Sequence, residues 1–202
     1  MGNYSTYTDN ELMESIKEKD SLAFSELYDR YNRVLVSYFY KMLWQDKEKA
    51  QDFMQDLFAK IIEKPHQFDV KRSFKTWMFS VANNMCKNEY RKQSVRKNTS
   101  YDLDEGYQIK DTAMDAMDKL QDSLFSEKLN VELDKLDEKQ KSTFVMRYFQ
   151  DMPIKEIAET LDCSEGTIKS RLFYTLKKLT VSLKDFAPQM IKMLLIVLSI
   201  NS

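Results

Sequence analysis

Residues 153–183 read PIKEIAETLDCSEGTIKSRLFYTLKKLTVSL, and this stretch guides the interpretation of the rest of the chain. It contains two short helical patterns that are separated by only three residues, at positions 162–164. Aliphatic residues recur in both patterns at helical spacing, and Ala158 offers a small contact where the two helices would cross. Ser164 is placed to cap the second helix. The stretch therefore predicts a helix-turn-helix.

The second of these helices carries polar, basic and aromatic residues on its outward side. They are Thr167, Lys169, Ser170, Arg171 and Tyr174. Side chains of these kinds reach phosphates and base edges in the major groove of DNA. The pattern predicts a DNA recognition helix, and an ordinary helical hairpin with a basic solvent-exposed face is the alternative.

Glycine and proline are scarce, with three residues of each in a chain of 202. Strands joined by tight turns need both residue types repeatedly, so we expect an almost wholly helical protein. Glycine-rich phosphate loops and dinucleotide-binding fingerprints are also excluded, because the backbone needs glycines to approach a phosphate closely. The composition thus argues against an enzyme that uses nucleotides.

The chain has two cysteines, Cys86 and Cys163, and one histidine, His66. The cysteines show no paired spacing and the polar N-terminus shows no signal peptide, which indicates a reducing cytoplasm. One histidine cannot build a zinc or iron site, and a Cys/His catalytic pair would lack a third, orienting group. We expect no metal, no cofactor, no small-molecule substrate and no enzymatic activity.

Charge is segregated along the chain although the formal net charge is −1. Residues 71–97 contain eight basic side chains and one acid, and residues 164–184 contain five basic side chains and one acid. Between them, residues 102–138 contain twelve acids and four bases. Local fields of this kind steer nucleic acid, although a run of charge is also typical of an ordinary solvated helix face.

Four helical patterns precede residue 95 and predict one N-terminal domain. The expected N-caps of the first three helices are Asp9, Ser21 and Asp46. Pro65 ends the third helix because its ring forbids continuation, and the fourth helix begins at Ser73. Trp77 falls on the apolar stripe of this fourth helix, which favours a core position. A second helical set follows from about Leu124, with Asp137 as the expected N-cap of its second helix.

The sequence therefore divides into a helical domain (1–95), an acidic linker (96–122), a helix-turn-helix domain (123–184) and an apolar tail (185–202). The linker is rich in polar residues with thin periodicity, apart from a hint of helix near its end. Eleven helical residues of the tail would span roughly 16 Å, about half of a bilayer's hydrocarbon core, so we expect no membrane crossing. Packing against the two domains or against a regulatory partner is the expected role of the tail.

Both halves of the chain resemble parts of one protein family. Residues 132–179 resemble region 4 of bacterial sigma factors of the extracytoplasmic function group, with their EIA and GTIKSRL segments and trailing basic helix. The stretches KAQDFMQDLFAKI (49–61) and FDVKRSFKTWMFSVANNMCKNEYRK (68–92) resemble region 2 of the same family. The two matches stand in the order of the family and are separated by a linker. Response regulators also end in a similar helix-turn-helix, so either match alone would be less decisive.

The resemblance implies an all-α, two-domain transcription initiation factor that binds core RNA polymerase and recognises and opens promoter DNA. The implied contacts to the polymerase are the clamp helices of the β′ subunit and the flap of the β subunit, and an anti-sigma factor is a further implied partner. The polymerase-binding residues would be Asp52, Gln55, Asp56 and Phe58. The residues at the minus-ten element would be Lys71, Arg72, Lys75, Asn83, Asn84, Lys87, Asn88, Arg91 and Lys92, with Phe68 as a stacking partner. The residues at the minus-thirty-five element would be Arg147, Thr167, Lys169, Ser170, Arg171, Phe173, Tyr174 and Lys177.

The chain departs from the family pattern at Ser80 and Asn83, where basic residues are common, and at Asn88, where an acid is common. The preference for bases of the minus-ten element is therefore expected to differ from that of other members. The linker is either threaded through the polymerase cleft, as in the family, or a simple tether. Two other classes of function compete with the sigma-factor interpretation: a conventional helix-turn-helix regulator with a sensing domain, and a helical adaptor that binds only proteins.

Overall fold

The computed structural model describes residues 4–97 and 116–186, and every regular element in these two ranges is helical. The α-helices are α1 (Asp9–Lys17), α2 (Ser21–Met42), α3 (Lys47–Glu63), α4 (Phe74–Lys97), α5 (Ala116–Asp134), α6 (Glu138–Tyr148), α7 (Ile154–Thr160) and α8 (Glu165–Ser182). Short 3-10 turns lie at Tyr4–Thr6, Pro65–Gln67 and Lys184–Phe186. The all-α fold predicted from the sequence is confirmed. None of the helices in the described ranges combines the length and apolarity needed to cross a bilayer.

The helices begin at side-chain caps, and the predicted caps were partly wrong. Asp46, Asp137 and Ser164 cap α3, α6 and α8 as expected. The cap of α1 is Thr8 rather than Asp9, and the cap of α2 is Asp20 rather than Ser21. In each case the residue with extended backbone lies one position earlier, because its oxygen must reach the N–H groups of the next turn.

The N-terminal half, α1 to α4, encloses a core rich in aromatic rings. Tyr38 and Phe39 of α2 are fully buried, and Tyr38 packs edge-on against Phe79 of α4 with 5.2 Å between ring centroids. Phe68 precedes α4 and is only 2% exposed, with its ring 5.4 Å from that of Trp77. Phe68 is therefore a core residue and not the exposed stacking partner that the sequence suggested, while Trp77 packs on the core as predicted.

The C-terminal half contains the predicted helix-turn-helix. Helices α7 and α8 pack against each other, with Ile157, Ala158, Ile168 and Leu172 buried. The turn between them is tight, because Asp162 adopts a left-handed backbone with φ of 51°. The Ser164 hydroxyl accepts a hydrogen bond from the Thr167 N–H at 3.1 Å and so caps α8.

Helix α5 begins at Ala116, inside the segment predicted as linker, and adds a turn and a half before the predicted start. Its last turns form a small separate core with α6 and α8 through Leu129, Leu133, Phe144 and Leu179. The linker residues 98–115 and the apolar tail from residue 187 onward lie outside the described residues, so the predictions for them stay predictions.

The two halves share one continuous core, which the sequence did not predict. Helices α6 and α7 pack on α2 and α4, and Val145, Met146 and Ile157 belong to the same buried cluster as Tyr38 and Phe39. Residues 141–147 of α6 are all buried, because α2 and α4 cover the side of α6 that α7 and α8 leave open. The chain is thus closed upon itself within the described ranges.

Candidate functional site

Helix α3 presents an acidic face to solvent. Asp52, Gln55 and Asp56 are exposed, as expected for residues at positions i, i+3 and i+4 of one helix. Phe58 lies on the other side of α3, where it is 3% exposed and packs on Tyr28 with 4.7 Å between ring centroids. Three of the four predicted polymerase-binding residues therefore share one accessible face, and Phe58 can act only by positioning the helix.

A groove of about 700 Å³ runs beside this acidic face, between α2 and α3. Its α3 side includes Gln51 and Gln55, and its α2 side includes Tyr28, Val36 and Tyr40. Such a groove, part apolar and rimmed by polar groups, suits the docking of a helix from a partner. The sequence could not reveal it, because it arises from the pairing of two helices rather than from either pattern alone.

Helix α4 and the loop before it carry the predicted basic face. Lys71, Arg72, Asn84, Asn88, Arg91 and Lys92 are exposed, and Lys75 and Lys87 are half-buried. Asn83 is different, since it is 1% exposed and its side-chain oxygen accepts a hydrogen bond from the Tyr38 hydroxyl at 3.3 Å. The prediction that Asn83 contacts DNA therefore disagrees with its position in the core.

The single acid of the basic stretch, Glu89, does not reduce the positive field of this face. Its side chain is 7% exposed, and it accepts a hydrogen bond from the Lys49 Nζ of α3 at 2.5 Å. Lys49 in turn lies 5.8 Å from the centre of the Trp44 ring. The Glu89 charge is thus compensated inside the fold, and the outer side of α4 carries cations and amides.

Helix α8 carries a solvent-exposed stripe opposite its buried side. The exposed residues of the predicted set are Lys169, Ser170, Phe173, Tyr174 and Lys177. Phe173 is 62% exposed and Tyr174 is 57% exposed, and the two rings contact each other edge-on at 5.4 Å. Two large aromatic side chains left in water beside basic residues mark a contact surface.

Two members of the predicted set lie at the edge of this stripe. Thr167 is half-buried, and its hydroxyl is hydrogen-bonded to the Ser164 hydroxyl at 2.9 Å. Arg171 is also half-buried, with its Nη1 atom 3.8 Å from the Cys163 sulfur. Both can reach a ligand of α8 only from the side where α7 turns into α8.

Arg147 is placed differently from its prediction. It is 6% exposed, and its Nη1 atom donates a hydrogen bond to the Met152 carbonyl at 2.9 Å, which ties α6 to the loop before α7. Its Nη2 atom is buried without a hydrogen-bond partner in the described part of the chain. In this closed arrangement Arg147 is an interior residue and does not join the exposed stripe on α8.

The titratable groups of the described ranges do not form a catalytic or metal-binding constellation. No group of three or more His, Cys, Asp or Glu side chains in residues 4–97 and 116–186 is arranged to hold a metal ion. Cys86 is fully buried, and burial raises the pKa of its thiol far above the usual range, which keeps it protonated and unreactive.

Two family models match the chain over the helices that carry these faces. Sigma-70 region 2 matches residues 27–96, and Sigma-70, region 4 matches residues 126–179. The chain belongs to the sigma-70 family of RNA polymerase sigma factors. The first match contains the acidic face of α3 and the basic face of α4, and the second contains the helix-turn-helix.

Relatives of this sigma factor are members of the extracytoplasmic function (ECF) group. The ECF RNA polymerase sigma factor SigW of Bacillus subtilis (strain 168) is 27% identical over 183 residues, which cover 86% of this chain and 95% of SigW. The RNA polymerase sigma factor YlaC of the same organism is 29% identical over 158 residues, which cover 78% of this chain and 88% of YlaC. The resemblance to the ECF group noted in the sequence is confirmed.

Solved structures share the fold of this sigma factor. CnrH in complex with the cytosolic domain of CnrY matches with a TM-score of 0.64 at 20% identity, over 88% of this chain and 97% of that chain. RpoE in complex with the anti-sigma factor NepR from Bartonella quintana matches with a TM-score of 0.56 at 18% identity, over 78% and 98%. This sigma factor is a transcription initiation factor that directs RNA polymerase to promoters, which favours the first of the three functions considered above.

Proposed function

We propose that three surfaces of this sigma factor divide the work of initiation. The α3 face binds core RNA polymerase, the α4 face captures the opened minus-ten element, and the α8 stripe reads the minus-thirty-five element as duplex DNA. The functional division follows the sequence: residues 1–95 for the first two tasks, 123–184 for the third, with 96–122 as the connection. The observation that carries the proposal is that each face is exposed on a helix whose opposite side is buried in the core.

For the α3 face, the partner is the pair of clamp helices of the β′ subunit. Asp52 and Asp56 supply carboxylates and Gln55 supplies an amide, which together suit a helix rich in arginine. The groove between α2 and α3 adds apolar contact area beside these charges. The C-terminal half makes a second contact with the flap of the β subunit.

For the α4 face, the ligand is the unpaired non-template strand of the minus-ten element. Single-strand binding needs cations that follow the backbone and polar or planar groups that meet the bases. Lys71, Arg72, Arg91 and Lys92 provide the cations, and Asn84 and Asn88 provide amides on the same exposed side. The chain itself performs no chemistry on the strand, and it acts in the cytoplasm.

For the α8 stripe, the ligand is the major groove of the minus-thirty-five element. Ser170 and Lys169 can reach phosphates and base edges, and the rings of Phe173 and Tyr174 can pack on thymine methyl groups. An anti-sigma factor is a further proposed partner, supported by the fold shared with RpoE in its complex with NepR.

Substitutions on α8 should weaken recognition of the minus-thirty-five element. Arg171→Ala or Tyr174→Ala is expected to cost roughly 1 to 3 kcal/mol in binding of holoenzyme to duplex promoter, about five- to 150-fold in affinity. Val131→Ala on α5 removes another exposed apolar side chain from the same half of the chain and should leave affinity unchanged. Wild-type affinity in both α8 variants would show that the helix is structural.

Substitutions on α4 should instead impair strand opening. Asn84→Ala or Arg91→Ala is expected to lower permanganate reactivity of thymines near the start site roughly tenfold, because each removes one contact to the single strand. Duplex binding should stay within about twofold of wild type. Lys60→Ala, which removes an exposed cation from α3, is the matched control. Normal opening in Asn84→Ala and Arg91→Ala would contradict the assignment of α4.

A further inference from the structure

The basic flank of α4 faces the helix-turn-helix across a cleft of about 480 Å³. Lys71, Arg72, Thr76 and Ser80 contribute to one side of this cleft. The other side consists of Glu159 on α7 and Asp162 in the turn between α7 and α8. Side chains proposed to bind DNA phosphates are thus set opposite carboxylates of the same chain.

The carboxylates belong to a consistently acidic edge of the C-terminal half. Glu159 and Asp162 are exposed, so both keep their charge at the mouth of the cleft. Glu156, one turn before Asp162 on the same edge, lies close enough to α2 to raise the pKa of Tyr31, to which burial contributes most. Opposite charges facing each other across an open cleft attract and orient the two halves.

The other end of the contact also covers α4. Lys87 is half-buried there, and its charge acts on Glu138 at the start of α6, whose pKa is nevertheless raised because burial outweighs the effect of Lys87. Asn84, Asn88 and Arg91 stay exposed on the neighbouring side of α4. Closure therefore covers one flank of the proposed strand-binding face and leaves the other flank open.

The contact between the halves is less well satisfied than a permanent core. Buried polar atoms without a hydrogen-bond partner in the described residues lie mainly on the helices that meet there: Thr76 on α4; Glu138, Arg147 and Tyr148 on α6; Glu156 and Thr160 on α7. Buried polar groups in a permanent core are nearly always hydrogen-bonded. An interface that must open retains polar groups for its other partners.

A lysine pins the two halves together. Lys141 of α6 is fully buried, and its Nζ donates hydrogen bonds to Asp134 at 2.6 Å and to the Met42 carbonyl at the end of α2 at 3.2 Å. The turn that follows α2 is strained, because Trp44 and Gln45 both adopt left-handed backbone with φ of 56° and 59°. Backbone strain of this kind is common at switch regions.

The polymerase-docking face does not take part in this contact. Asp52, Gln55 and Asp56 are exposed while the α4 flank is covered. Core polymerase can therefore reach α3 before the halves separate, whereas a DNA strand cannot reach Lys71, Arg72 and Lys87 together.

We propose that the closed arrangement is a self-inhibited state of the free sigma factor, in which Glu159 and Asp162 occupy the place of DNA phosphates beside Lys71 and Arg72. Docking of α3 on core polymerase separates the halves and frees the flank. This inference rests on the proposed strand-binding role of α4, and it explains why binding to polymerase precedes binding to DNA.

The test is the full-length Glu159→Lys/Asp162→Lys variant, in which the two exposed carboxylates become cations that repel Lys71 and Arg72. The matched control is Glu127→Lys/Asp185→Lys, which makes the same change in net charge at exposed sites on α5 and after α8. The probe is a fluorescent single strand carrying the non-template minus-ten sequence of a promoter selected with the holoenzyme. Anisotropy gives its affinity for each chain with and without core polymerase, and small-angle scattering gives the radius of gyration of the free chains.

The inference predicts that the free Glu159→Lys/Asp162→Lys variant binds the strand at least tenfold tighter than the control and has a larger radius of gyration. With core polymerase, wild type and variant should bind alike. Equal affinity of variant and control, or an unchanged radius, would overturn the inference while tight binding by the holoenzyme upheld the role of α4. Absence of strand binding by the wild-type holoenzyme would instead overturn the proposed role of α4, and the inference with it.

Discussion

The Asp52→Lys/Asp56→Lys variant is expected to lose at least about 100-fold in affinity for core RNA polymerase. Loss of one partner from a desolvated charge pair at an interface costs roughly 2 to 5 kcal/mol, and reversal of two charges adds repulsion to that loss. Both carboxylates are exposed on a helix whose opposite face is buried, so the helix itself should tolerate the change. Affinity is measured with labelled sigma factor and purified core enzyme.

Its control uses a second acidic pair with the same spacing. Glu14 and Glu18 are exposed on and just after α1, four residues apart like Asp52 and Asp56. Glu14→Lys/Glu18→Lys makes the same charge change on a helix that carries no proposed contact, and should bind core polymerase as wild type does. Tight binding by Asp52→Lys/Asp56→Lys, with its helical circular dichroism intact, would show that α3 is not the docking face.

The second large effect concerns stability at the Lys141–Asp134 pair, which joins α6 to α5 and touches α2. Asp134→Ala should lower the free energy of unfolding by about 3 kcal/mol, because it leaves the buried ammonium group with only the Met42 carbonyl. Lys141→Met keeps most of the apolar stem and removes the desolvated charge, so we expect a loss of only about 1 kcal/mol. Asp134 is a quarter exposed and tolerates the loss of its partner better.

Urea unfolding of the full chain compares these variants with Lys135→Met, which removes an exposed ion pair to Glu132 and should change stability by less than about 0.5 kcal/mol. Burial lowers the pKa of Lys141 in the folded chain. Between that pKa and its ordinary value the unfolded chain binds more protons, so the stability contributed by this group rises with pH. The deficit of Asp134→Ala should shrink over the same window, since a neutral amine needs no counter-charge. A larger loss in Lys141→Met than in Asp134→Ala would contradict this account.

Local features of the fold were predictable because they depend on neighbouring residues. The helix-turn-helix, the end of α3 before Pro65 and the caps Asp46, Asp137 and Ser164 are each encoded within a few residues. Where two polar residues stand side by side at a helix start, as at Thr8 and Asp9, the sequence does not say which adopts the extended backbone of the cap.

The exposed parts of the candidate site were predictable for the same reason, and its buried members were not. Asp52 and Asp56 follow from helical spacing alone. Asn83 and Arg147 are polar, so the pattern favoured the surface, but their partners are the Tyr38 hydroxyl and the Met152 carbonyl, which only the folded chain brings near. The contact between the halves is likewise invisible in the pattern, because it joins residues a hundred positions apart.

The most direct test of the central claim is transcription in vitro from a library of templates with random sequence upstream of a fixed reporter. Core polymerase is supplied with the wild-type chain, with Asp52→Lys/Asp56→Lys, or with no sigma factor, and the transcribed templates are sequenced. We predict that only the wild-type chain enriches templates, and that these share two motifs at constant spacing ahead of one start site. Enrichment that is absent with the wild-type chain, or equal with the α3 variant, would contradict the account.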